Sequence, residues 1–195
     1  MAGHILAVAQ QKGGAGKTTL AAHLAVAASA GGSGAVIDMD PQASLSAWMA
    51  ERAARLSDPG LPHLSIAGWR IAAEAERAAR EHDWVIIDCP PHAATEAKVA
   101  IRAASLVLVP AQPSPMDLWA TKPTLDLVAA EGGRVLLILN RVPARTRIAA
   151  TVEARLAALG VPVAESRIGN RSGFGNVIAG DVFIEKGREV ANGMV

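Results

Sequence analysis

The chain has 195 residues, 51% of them apolar, with no Tyr, two Phe and a formal net charge of +1. That length suits one domain burying about 70% of the surface its unfolded form exposes, and the apolar share excludes a disordered chain. A single cysteine, Cys89, excludes an internal disulfide and a cysteine-based metal site within one chain. No apolar run reaches the ~18 residues of a membrane span, and the N-terminus lacks signal-peptide order, so a soluble cytoplasmic protein is expected.

Charge is unevenly placed. Residues 141–171 hold Arg141, Arg145, Arg147, Arg155, Arg167 and Arg171 against Glu153 and Glu165, a local net of +4. The remainder therefore sums to −3, which permits a basic face.

In chain order, HILAVAQ (4–10) is a short apolar run ending at a glycine loop and reads as a buried strand. Residues 17–30 read as a helix stopped by Gly31-Gly32, and GAVIDMD (34–40) as a second strand. Helical spacing of Leu45, Trp48, Met49, Arg52 and Leu56 predicts a helix over 43–56. SDPGLP is a loop, LSIAG a short strand, and 70–82 a solvated helix. WVIIDCPP (84–91) is a strand broken by two prolines, followed by a helix over 94–104. SLVLVPAQ (105–112) is a strand, MDLWATKPTLDLVAA a helix interrupted at Pro123, and RVLLILNRV (134–142) a strand. A helix over 148–160 and a strand in VPVAESRIG complete the alternation, and the chain from Asn170 reads as irregular or weakly helical.

Strands alternating with helices imply parallel βαβ units. Continuous Val/Ile/Leu strands imply a sheet covered on both faces. The expected fold is therefore α/β, a doubly wound, mostly parallel sheet in one domain spanning 1–195. In such sheets ligands lie at the carboxyl ends of strands. The glycine loop, Asp38, Asp40, Asp88, Pro110 and Asn140 all fall at strand ends.

QQKGGAGKTTL carries the chemistry. Gly16-Lys17-Thr18 fits the end of the phosphate-loop pattern G-x-x-x-x-G-K-[ST], in the order strand, loop, helix. Its first glycine is replaced by Gln11; Gly13, Gly14 and Gly16 stand instead, around Ala15. Glycines let backbone N–H groups surround phosphate oxygens, and a helix N-terminus adds a favourable dipole. Lys17 would reach the β- and γ-phosphates, Thr18 would offer its hydroxyl to Mg²⁺, and Thr19 would lie near the α-phosphate. Lys12, at the loop's entrance, is a second lysine that the general pattern does not need.

K-G-G-x-G-K-T resembles the deviant phosphate loop of the ParA/MinD family of P-loop ATPases. The resemblance implies that Lys12 reaches across a dimer interface to the nucleotide of the other subunit. VIDMDPQASLSAW resembles the family's second motif, implying that Asp40 orients the attacking water and that Asp38 supports Mg²⁺ or its waters. WVIIDCPP resembles the family's Walker B strand, implying that Asp88 holds Mg²⁺ through water. LILNR places Asn140, followed by Arg141, where relatives use an Asn to read the adenine edge. VPAQPSPMDLWA, with Pro110, Pro113 and Pro115, resembles the proline-rich segment of small ParF-type partition ATPases, implying a place beside the nucleotide and the dimer interface.

The resemblance implies ATP and Mg²⁺ as ligands and a homodimer in the ATP state. It further implies non-specific DNA binding with nucleoid association, slow hydrolysis stimulated by a ParB-like or other adaptor, and a plasmid, chromosome locus or protein cargo. Arg145, Arg147, Arg167 and Arg171 are the candidate DNA contacts. The alternative is a MinD-like regulator at a membrane surface, against which no terminal basic amphipathic helix is visible. EKGREVANGMV reads either as the start of a C-terminal helix or as a truncated end. A reductase carrying a metal cluster is disfavoured by the lone Cys89, a ligase by the lack of an identifiable substrate pocket, and a GTPase by Asn140-Arg141-Val142-Pro143 standing where N-K-x-D would be.

Overall fold

Six parallel strands form one sheet in the order β3-β2-β4-β1-β5-β6. They are β1 (His4–Val8), β2 (Gly34–Asp38), β3 (His63–Ser65), β4 (Trp84–Asp88), β5 (Leu106–Ala111) and β6 (Val135–Leu139). The computed structural model describes residues 2–56, 61–91, 94–143 and 150–170. The helices are α1 (Lys17–Gly31), α2 (Ser44–Arg55), α3 (Ile71–Glu81), α4 (Ala94–Ala103), α5 (Pro115–Ala130) and α6 (Ala150–Ala158).

Strand alternation sorts the core into layers, because successive side chains point to opposite faces. Ile5, Ala7, Ile37, Val85, Ile87, Val107 and Val109 meet Ile71 and Ala75 of α3, Ala100 and Ile101 of α4, and Leu125 and Val128 of α5. Leu137 and Leu139 continue that face toward Val152 and Leu156 of α6. On the other face Leu6, Val8, Val36, Ile86 and Leu108 meet Leu20, Leu24 and Ala25 of α1 and Leu45 and Met49 of α2. Helix α1 is buried along nearly its whole length, as an almost uniformly apolar helix must be. Both faces are covered, as the strand composition predicts.

Three details differ from the sequence reading. Helix α5 runs through Pro123 without a break. Burial of Leu118 before the proline and of Leu125 and Val128 after it holds the helix together, and Pro123 itself is exposed. VPVAESRIG is not a continuous strand. It touches the sheet edge by two separate parallel bridges, Leu137 to Val163 and Val142 to Gly169; Pro162 can lend its carbonyl to Leu137 but has no N–H to extend the ladder. The 70–82 helix is solvated on one side only, since Ile71, Ala75, Ala78 and Ala79 are buried.

The topology makes the site. α1 leaves β1 toward one face and α4 leaves β4 toward the other, while β1 and β4 are neighbours. A crevice therefore opens at their carboxyl ends, where ligands of doubly wound sheets sit. Register places Val8 opposite Asp88 and Asp38 opposite Asp88, so both buried aspartates share one row at that edge.

Candidate functional site

The loop after β1 turns by two left-handed glycines, Gly14 (φ 73°) and Gly16 (φ 92°). A side chain at Gly13 or Gly14 would meet no atom within 4 Å, so only the left-handed dihedral of Gly14 asks for glycine there. Gly16 is also closed in space. A Cβ there would stand 2.3 Å from Nδ2 of Asn140, so the position needs glycine for both its dihedral and its neighbour. Gly16 caps α1 with no side-chain bond and no acidic residue in the first turn, leaving an uncompensated positive helix end.

Lys17 is buried, and burial lowers its pKa while Asp88, Asp40 and Cys89 work in the opposite sense. Asp88 is 1% exposed, and neither oxygen completes a hydrogen bond of normal geometry. Burial pushes its carboxyl up to about 7; the Thr18 hydroxyl draws it back, Asp38 raises it further, Lys17 lowers it and Asp40 raises it. An orphaned buried carboxylate beside a hydroxyl is the oxygen donor set that suits Mg²⁺. Among the described residues no three His, Cys, Asp or Glu gather to hold a metal. Burial also pushes the Cys89 thiol up, which leaves it an inert small residue behind the site.

Asp38 is placed differently from Asp88. Its Oδ1 accepts the Asp40 amide at 3.0 Å, and its Oδ2 accepts the Ser46 amide at 2.8 Å and the Ser46 hydroxyl at 2.6 Å. Its carboxylate is thus engaged by the chain itself. Asp40 is half-buried, and its Oδ1 accepts the Gln42 amide at 3.0 Å.

Asn140 is buried and clamps the loop. Its Nδ2 donates to the Ala15 carbonyl at 2.8 Å, and its Oδ1 accepts the Arg141 amide at 2.8 Å. Here the side chain holds the phosphate loop in place with one of its two N–H donors, leaving the second donor uncommitted by these bonds. Arg141 is exposed and adopts a left-handed backbone (φ 54°). The Pro110 carbonyl accepts from Gln10 Nε2 at 3.2 Å.

Lys12 does not point into the cradle. Its ammonium is paired with Asp117 on α5. Burial acts to raise the Asp117 carboxyl, but hydrogen bonds from Lys12 and Ser114 and the charges of Lys12 and Arg141 hold it below the usual carboxylate range. Other bonds from α5 brace the same loop. Gln10 Nε2 donates to Thr121 Oγ1 at 3.1 Å, Thr124 Oγ1 donates to Gln10 Oε1 at 2.7 Å, and the Gln11 amide donates to Thr124 Oγ1 at 3.0 Å. The sequence reading missed Gln10, Asp117, Thr121 and Thr124. Their signal was a polar stripe at spacings of four and three on a helix whose remaining inward residues are apolar.

Thr18 and Thr19 are half-buried at the start of α1. Arg167 is exposed beside the sheet edge; Arg145, Arg147 and Arg171 lie outside the described residues.

The profile of the CobQ/CobB/MinD/ParA nucleotide binding domain matches residues 6–179. The chain belongs to that family. Within it, maintenance of carboxysome distribution protein A of Halothiobacillus neapolitanus is 28% identical over 198 residues, across 96% of this chain and 91% of the relative. The protein of the same name from Gloeobacter kilaueensis is 33% identical over 173 residues, across 84% of this chain and 76% of the relative. Among solved structures, cobyrinic acid a,c-diamide synthase from Mycobacterium smegmatis, with bound ATP analog and magnesium, superposes with a TM-score of 0.76 at 23% identity, across 97% of this chain and 93% of that one. At that identity the likeness speaks for the fold. Membership makes this chain a ParA/MinD-type nucleotide-binding domain.

Proposed function

We propose that this chain binds ATP with Mg²⁺, dimerises in that state and positions a cargo, with hydrolysis resetting the cycle. One observation carries the reading: of two lysines in one loop, Lys17 is buried in the cradle and Lys12 stands outside it, 37% exposed. A cation held outside its own subunit's cradle suits a nucleotide bound by a second subunit. The Lys12–Asp117 pair is only partly buried, so exchanging it for a phosphate contact costs on the order of 1 kcal/mol.

In this reading Gly13, Gly14, Ala15 and Gly16 offer backbone N–H groups to the phosphates, and Lys17 neutralises the β- and γ-oxygens. Thr18 and Asp88 hold Mg²⁺, which neutralises charge on the phosphates when bound. Asp40, half-buried and close to Lys17, orients the attacking water. The names of the two curated relatives favour a large protein assembly as cargo over a plasmid or chromosome locus. Non-specific DNA is the proposed track, Arg167 with Arg145, Arg147 and Arg171 the proposed phosphate contacts, and an adaptor on the cargo the stimulator of hydrolysis.

The deciding measurement is binding of the Asp40→Ala protein to random-sequence duplex DNA, with Mg²⁺–ATP and with Mg²⁺–ADP, across a salt series. Binding only with ATP, losing about 0.9 in log affinity per log salt for each phosphate neutralised, supports the reading. Dimerisation with ATP but no DNA binding in either state removes DNA and moves the track to a membrane or protein surface.

A further inference from the structure

Asp38, the last residue of β2, accepts from donors of two segments, the turn that follows it and helix α2. Oδ1 takes the Asp40 amide, and Oδ2 takes both the amide and the hydroxyl of Ser46. The Ser46 hydroxyl also lies 2.9 Å from Nε2 of His63, on the edge strand β3. A carboxylate only accepts, so the Ser46 proton is committed to Asp38 at 2.6 Å. The His63 contact must then run the other way, with Nε2–H donating to Ser46 Oγ. The result is a directional chain from His63 through Ser46 to Asp38, ending on the Asp40 backbone.

The chain has two mechanical consequences. First, the residue before α2, Ala43, supplies no side-chain cap. Asp38 supplies it from outside the helix by accepting the Ser46 amide, in the third position of the first turn, where caps normally bond. Second, Ala43 holds a left-handed backbone (φ 52°), an uncommon conformation for a residue with a Cβ. Such a residue persists where its surroundings over-determine it. Here Asp38 fixes both sides of the short segment, Asp40 before Ala43 and Ser46 after it, and the Asp40 carbonyl accepts the Ala43 amide at 2.8 Å.

We propose that Ser46 and His63 are positioning residues for ATP hydrolysis, holding the Asp38 carboxylate so that the turn carrying Asp40 is fixed at the cradle. This rests on the reading of Asp40 as the residue that orients the attacking water. It adds that the water-orienting residue is braced by the far edge of the sheet, through a residue 17 positions from Ser46. Asp38 thereby acts as an anchor for Asp40.

The test is basal single-turnover ATP hydrolysis by the full chain and six variants, with binding of a fluorescent ATP analogue and thermal midpoint measured beside it. Ser46→Ala and His63→Leu are expected to lower the rate about tenfold, the effect of one lost partly buried hydrogen bond expressed at the reacting geometry. Nucleotide affinity should stay within about twofold in both, since neither residue touches the cradle. Ser46→Thr keeps the hydroxyl and His63→Gln keeps a donor near Nε2; both should recover most of the rate, which a merely structural role would not predict. Asp40→Ala and Asp40→Asn serve as references. If both references lose turnover while Ser46→Ala and His63→Leu keep the wild-type rate, the positioning role is overturned and the reading of Asp40 stands. Turnover by Asp40→Ala at the wild-type rate overturns that reading, and the positioning role with it. Loss of rate and affinity together, with no recovery in the conservative variants, shows a purely structural contact and also overturns the proposal.

Discussion

Burial leaves a clear electrostatic signature on Asp88. Its raised carboxyl means that the folded protein, without ligand, prefers the protonated form where the unfolded chain is already ionised. The stabilising effect of that proton is complete below about pH 4 and is lost as pH rises through about 7. Asp88→Asn should therefore raise the thermal midpoint of the nucleotide-free protein at pH 8, by roughly 5 °C, and leave it nearly unchanged at pH 4.5. A difference that does not vary with pH would remove the buried charge as its cause. The same variant should lose Mg²⁺-dependent nucleotide binding, because an amide is a poor substitute for a carboxylate beside a hard cation.

At the scale of elements, α5 joins the phosphate loop to the rest of the fold. Ser114 caps it, accepting the Asp117 amide at 3.1 Å, and Pro115 occupies the first turn, where a missing N–H costs little. Its inward polar residues, Asp117, Thr121 and Thr124, hold residues 10–12, while Leu118, Leu125 and Val128 pack on the sheet side. Pro123 works against this order, removing one hydrogen bond and crowding the preceding turn. Pro123→Ala should raise stability by about 1–3 kcal/mol, read as a higher midpoint in urea with an unchanged slope. A midpoint that falls would show that the proline sets a bend on which α5 relies.

At the scale of the whole molecule, the proposed dimer bears on the contact between Lys12 and Asp117. In that proposal Lys12 leaves Asp117 to reach the second subunit. Lys12→Ala should bind ATP with near-normal affinity and fail to dimerise in sedimentation with Mg²⁺–ATP. Asp117→Asn keeps a group able to bond Ser114 but weakens the hold on Lys12. It should tighten ATP-dependent dimerisation by about fivefold, the value of a partly exposed ion pair. Dimerisation by Lys12→Ala at the wild-type level would refute the trans role of that lysine. A weaker Asp117→Asn dimer would place Asp117 in the interface rather than as a restraint on Lys12.

Much of this was legible in local pattern. Val- and Ile-rich runs ending at glycine, aspartate or proline mark strands whose carboxyl ends carry chemistry, because burial on both faces and the turn that follows are local demands. Gly14 and Gly16, Lys17, and the aspartates at 38, 40 and 88 are readable for that reason. The partners of those residues are not. Asn140 against Ala15, Thr124 against Gln10, Asp117 against Lys12 and His63 against Ser46 are separated by 125, 114, 105 and 17 positions. Nothing in residue spacing says that β4 lies between β1 and β2, or that α5 passes beside the phosphate loop. Strand order follows from how the crossovers pack, and it alone brings those side chains within hydrogen-bonding distance. Thus the chain's one-dimensional pattern specifies which groups stand at the carboxyl ends of the strands, the proposed nucleotide edge. The packed sheet specifies what each is bonded to: Asp88 buried beside Thr18 without a hydrogen bond of normal geometry, Asp38 and Asn140 tied to the chain, and Lys12 held by α5.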